Sequence, residues 1–138
     1  MNELKNKIIK EINVFGDYHD NIQFVTNKGD VCYSAYGDCC SSSFFSDIWN
    51  AENIIGQEIT DVEDIELQEG EAPNRYAKED DYEQVYGIKI TSNKGSCVII
   101  FRNHSNGYYG GSIEFTNRSP EDDEKKWNIT DNWSAPSL

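Results

Sequence analysis

The sequence has little with which to hold nucleic acid or an anionic membrane directly. Lysine and arginine total 12 against 25 aspartates and glutamates, a net charge of −13. The basic residues stand singly or in short pairs such as Lys125-Lys126. Contact with phosphate backbones needs a local basic patch to overcome such repulsion, and none is present. Long apolar runs are also missing, since no segment approaches the ~20 residues of a membrane span. Residues 1–13 lack the apolar core and small-residue site of a signal peptide, so the expected location is the cytoplasm. The Gly-x-Gly-x-x-Gly and Walker patterns are absent, as is a Gly-x-Ser-x-Gly elbow. The acidic stretches lack a spacing that isolates two carboxylates for acid–base work. No catalytic residue is therefore expected.

What is present is a lean aliphatic content filled out by rings. Aromatic residues reach 12%, with three Trp, eight Tyr and six Phe. That content and the length of 138 residues predict one folded domain over residues 1–138. A strongly negative surface attracts basic proteins and accelerates their association at low salt. Serving solubility alone is the other reading of the same charge.

The pattern along the chain predicts an α+β fold. Leu4, Ile8, Ile9 and Ile12 fall on one helical face of residues 3–13, with Gly16 at the exit. Ile22–Thr26 and Val31–Tyr36 read as a hairpin. Ser42 or Ser43 is a favoured N-cap, which predicts a short aromatic helix over Phe44, Phe45, Ile48 and Trp49. Residues 57–67 alternate imperfectly and read as an edge strand blunted by its charges. Residues 68–82, rich in Gly, Pro and acids, read as a loop. A second hairpin follows, Val85–Ser92 and Cys97–Asn103, and then a strand over Ser112–Thr116. In the polar segment 117–138, Trp127, Ile129, Asp131 and Trp133 share one strand phase. Thr26-Asn27-Lys28-Gly29 and Ser92-Asn93-Lys94-Gly95 are near copies. They predict two similar hairpins in one antiparallel sheet, packed by the N-terminal helix and the aromatic helix.

A two-residue turn at Lys28-Gly29 would set Asp38 opposite His19 and Cys39 opposite Tyr18. His19, Cys39 and Cys40 then meet at the open end of the first hairpin, and the repeat brings His104 from the second. Two thiolates and two imidazoles suit a tetrahedral structural zinc, with Asp38 as the substitute ligand. The adjacent cysteines differ from a Cys-x2-Cys knuckle, and small buried hydrophobes are the other reading. A Cys–His thiol enzyme is a further alternative. Cys32 and Cys97 sit mid-strand and read as core. The acids Asp61, Glu63, Asp64, Glu66, Glu69, Glu71, Glu79, Asp80 and Asp81 run almost uncompensated and are the expected partner-binding surface. A solvated face is the ordinary reading of such a run.

Gly37-Asp38-Cys39-Cys40-Ser41 with the aromatic segment behind it, and Ser105-Asn106-Gly107-Tyr108-Tyr109-Gly110-Gly111, resemble a family of small phage and prophage domains. The likeness covers roughly residues 20–116 and extends in size and character to zinc-binding, acidic anti-CRISPR inhibitors of type II effectors. The resemblance implies a phage-encoded protein, acting in the host cytoplasm, that occupies a basic surface of a Cas9-type nuclease. That surface normally holds guide–target backbone, so DNA loading is blocked. The alternative is a phage structural or interaction protein without metal.

Overall fold

The computed structural model describes residues 1–37, 42–67, 82–105, 111–116 and 118–136. Its architecture corrects the α+β expectation. Among the described residues the only helical elements are single 3₁₀ turns at Asn2–Leu4 and Ala51–Asn53, and the rest of the regular structure is strand. None of these helices is long and apolar enough to cross a membrane. The strands are β1 (Ile9–Phe15), β2 (Asn21–Thr26), β3 (Gly29–Gly37), β4 (Ser42–Trp49) and β5 (Ile59–Ile65). They continue with β6 (Tyr82–Ser92), β7 (Ser96–Ser105), β8 (Gly111–Thr116), β9 (Lys126–Asn128) and β10 (Trp133–Ser134). Two antiparallel sheets of five strands result, in the orders β8-β3-β2-β1-β9 and β10-β4-β7-β6-β5. One apolar cluster draws Ile12, Val14, Phe24 and Tyr33 from the first sheet and Phe45, Ile48, Ile90 and Ile99 from the second.

Both expected helices are bulged strands. The pairing of β1 with β2 shifts register between Ile9 and Glu11, and that of β4 with β7 between Phe45 and Asp47. A bulge adds one residue to a strand and resets which face the next side chain takes. Ile9 and Ile12, like Phe45 and Ile48, therefore enter the core three residues apart, the spacing of a helix. Asn6, at φ 66°, also breaks a continuous helix before β1. Bulging explains the imperfect alternation of β5 as well, whose register shifts between Ile59 and Asp61.

The two hairpins are alike but lie in different sheets, which corrects the single-sheet expectation. In the first, Thr26 pairs Gly29. Thr26 Oγ1 accepts from the Lys28 amide at 3.1 Å and donates to the Gly29 carbonyl at 2.6 Å. Ser92 repeats this with Lys94 and Gly95, at 3.1 Å and 3.4 Å. Both glycines have positive φ, 103° and 152°, which glycine adopts without steric cost. The likeness runs through each half. A 3₁₀ turn precedes a bulged strand, which is followed by a hairpin and a fourth strand. The fourth strands exchange sheets: β4 pairs β7 and β8 pairs β3. The halves meet at an antiparallel bridge between Ile8 and Glu58, positions that correspond under the same 50-residue offset that relates the bulges at Ile9 and Ile59. The chain is thus an internal duplication in element order, with the fourth strand of each half in the other half's sheet.

The expected single late strand is two short ones. Strand β9 closes the first sheet against β1, and β10 closes the second against β4. One segment thus seals an edge of each sheet.

Candidate functional site

Strand β5 is the outer strand of the second sheet. Its Asp61, Glu63 and Asp64 are exposed, as is Glu66 just beyond it, while Ile59 is buried in the core. Lys5 lies 3.5 Å from Asp61 and Lys89 3.9 Å from Glu63, both pairs solvent-exposed. Exposed pairs of this kind contribute little to stability and leave the edge negative. Glu69, Glu71, Glu79, Asp80 and Asp81 lie outside the described residues.

The expected zinc ligands divide. Cys39 and Cys40, with Asp38, lie outside the described residues. His19 is not on a strand, since β2 begins only at Asn21, and the turn at Asn27-Lys28 shifts the hairpin register from the expected one. It sits instead in the β1–β2 connection at φ 55°. Its ring is 3% exposed, 4.4 Å from the Trp127 ring and 6.1 Å from that of Trp133. Burial, then the nearby Lys125, lowers its pKa, against a smaller opposing effect of Asp20. Both ring nitrogens are buried, and neither has a hydrogen-bond partner among the described residues. His104 lies on β7 opposite Ser42, its ring 5.2 Å from that of Phe44. Among the described residues no group of three or more His, Cys, Asp or Glu side chains is placed to hold a metal.

Cys32 and Cys97 are buried free thiols. Burial pushes the Cys97 thiol up to about 12 and raises Cys32 as well. A thiol needs its thiolate to act as nucleophile, so these two are packing residues.

One feature escaped the sequence reading. A cleft of about 490 Å³ opens beside the β1–β2 turn, walled by Asp17, Tyr18, Asp20, Tyr36, Arg118 and Glu124. Its turn is built by Gly16, at φ 99°, where an added Cβ would collide with Asp20 Oδ1. The signal in the sequence is Gly16-Asp17-Tyr18, of which Gly16 reads as a helix exit and Tyr18 as part of the first hairpin. The far wall comes from a segment a hundred residues away, which no local pattern announces.

These features define an acidic, internally duplicated β-sandwich domain with a charged strand edge. Residues 2–115 match the model of a family described as a domain of unknown function, DUF7448, and the chain belongs to that family. No curated protein and no solved structure matches it.

Proposed function

We propose that this chain is a stoichiometric binding protein that presents the β5 edge to a basic, nucleic-acid-handling partner. A Cas9-type nuclease is the partner to test first, with blocked DNA loading as the outcome. The observation that carries the reading is the exposed acidic row on an outer strand. At about 3.3 Å per residue, positions 61 to 66 place four carboxylates along about 17 Å. A single nucleic-acid strand carries about one charge per 3.4 Å; with Lys5 and Lys89 beside Asp61 and Glu63, the edge is a much sparser line of the same sign. The resemblance of the Asp38-Cys39-Cys40 region to anti-CRISPR inhibitors supports the choice of nuclease. Mixed with several Cas9-type nucleases at low salt, the protein is expected to co-elute with at least one and suppress its target cleavage. Absence of both across the set would overturn the proposal.

A structural zinc held by His19, Cys39, Cys40 and His104 belongs to the same proposal. Buried polar atoms ordinarily have partners, and a metal ion would satisfy one of the two unpartnered nitrogens of His19. Such an ion would supply folding energy, not reactivity. Protein purified without a histidine tag is expected to carry close to one zinc per chain. Less than about 0.2 per chain would remove the metal from the account.

A further inference from the structure

We propose that the cleft beside the β1–β2 turn receives a guanidinium side chain of a basic partner, held by the Asp17 and Asp20 carboxylates and the Tyr18 and Tyr36 rings. This rests on the basic-partner reading above and adds a second point of contact, on the first sheet instead of the β5 edge.

The chemistry of the walls selects the ligand. Tyr18 is 67% exposed and Tyr36 48% exposed, a high value for large rings that line a concave surface. Neither Asp17 nor Asp20 is in an ion pair among the described residues. Asp20 Oδ1 accepts from Asn21 Nδ2 at 3.0 Å, which orients the carboxylate without neutralising it. Arg118 is the cation of the cleft and is committed to Glu124 at 2.6 Å. Three carboxylates against one guanidinium leave the cleft negative. Rings and carboxylates together favour a flat cation, which stacks on one and forms paired hydrogen bonds with the other. The wall already holds one guanidinium this way, since Arg118 lies 5.1 Å above the Phe15 ring while it pairs Glu124.

The turn is also fixed before any ligand arrives. His19 donates its amide to the Gly16 carbonyl at 3.2 Å, and its own carbonyl accepts from the Phe45 amide at 2.8 Å. The Asp20 carbonyl accepts from the Ala35 amide at 2.8 Å. The Ser34 hydroxyl donates to Asn21 Oδ1 at 2.5 Å. Asp17 and Tyr18 therefore project from a backbone tied to β3 and β4, and little ordering cost remains at binding. In the other half of the duplication, the β5–β6 connection that corresponds to this turn spans the acidic residues 66–81.

The test is a nitrogen-15 amide titration of the full chain with an arginine tripeptide blocked at both ends. Its neutral, nearly isosteric citrulline counterpart and maltotriose serve as comparison probes. The arginine peptide is expected to shift the amides of residues 16–21, Tyr36 and Gly37, and the citrulline peptide to leave them in place. Asp17→Asn and Tyr18→Leu should each weaken the arginine response by about fivefold or more, without disturbing the remaining spectrum. Neutralising β5 should not alter it. Equal shifts with the citrulline peptide, a response to maltotriose instead, or no shift in the cleft would each overturn the proposal. A nuclease that co-elutes through β5 while the tripeptide leaves the cleft amides in place would refute the cleft alone. Cleft binding without any co-eluting nuclease would refute the nuclease reading alone.

Discussion

A chain ending at Lys125 is expected to lose its cooperative fold. The residues beyond it lie outside the family match, which stops at 115, yet they close both sheets. The Ile129 amide donates to the Ile12 carbonyl at 2.8 Å, and the Ala135 amide to the Ser46 carbonyl at 2.8 Å. Ile129 and Ala135 are buried, while Trp127 and Trp133 pack against the core and cover His19. Fully burying a large apolar side chain contributes about 1.5–3 kcal/mol; Ile129 is fully buried and Trp127 and Trp133 are half-buried, so the three sum to about 3–6 kcal/mol. That is a large share of the whole stability of an ordinary domain, about 5–15 kcal/mol. The truncated chain should show no cooperative thermal transition and poor amide dispersion. A truncated chain with an unchanged midpoint would show that β9 and β10 are dispensable.

Asp47→Ala is expected to destabilise the full chain by about 1–3 kcal/mol, because it removes the carboxylate beside a buried guanidinium and the acceptor of two hydroxyls. Arg102 is 1% exposed. Its Nε donates to Ser46 Oγ at 2.9 Å and its Nη2 lies 3.5 Å from Asp47 Oδ2. Ser46 and Ser134 donate their hydroxyls to the two Asp47 oxygens at 2.8 Å and 2.7 Å, so the network also ties β10 to β4. The pair as a whole is a different matter. Desolvation of two charges offsets much of their attraction, and apolar replacement of both is often neutral. Asp47→Leu with Arg102→Met should therefore recover most of the loss. Urea midpoints of the three chains measure this directly. A single variant within about 1 kcal/mol of the parent would mean that the guanidinium finds other compensation.

The legible parts of the molecule were those set by short-range chemistry. Thr26–Gly29 and Ser92–Gly95 announced two equivalent turns, and β5 was readable as a charged edge from its acids alone. What misled was the bulge. One extra residue in β1 and in β4 gives Ile9/Ile12 and Phe45/Ile48 a three-residue spacing that periodicity assigns to a helix, though β-branched and aromatic side chains dominate both segments. The placement of the similar hairpins was not legible either. Their partners are the exchanged strands β4 and β8, and exchange depends on long-range pairing. The register of the first hairpin differs from the expected one. A turn at Lys28-Gly29 instead of Asn27-Lys28 moves every cross-strand partner, and a strand continued past Asn21, where β2 begins, sets His19 on it. The cleft was hidden because Arg118 and Glu124 reach it only once β9 has docked on β1.

The acidic edge is tested most directly by combining Asp61→Asn, Glu63→Gln, Asp64→Asn and Glu66→Gln. These positions are exposed, so the thermal midpoint should stay within a few degrees of the parent. Binding of the parent and the variant to a co-eluting Cas9-type nuclease is then compared across a salt series. The parent is expected to bind tightly at low salt and weaken steeply as salt rises, while the variant loses about tenfold or more at low salt and most of the salt dependence. Equal affinity and equal salt slope for the two proteins would contradict the assignment of the β5 edge as the binding surface.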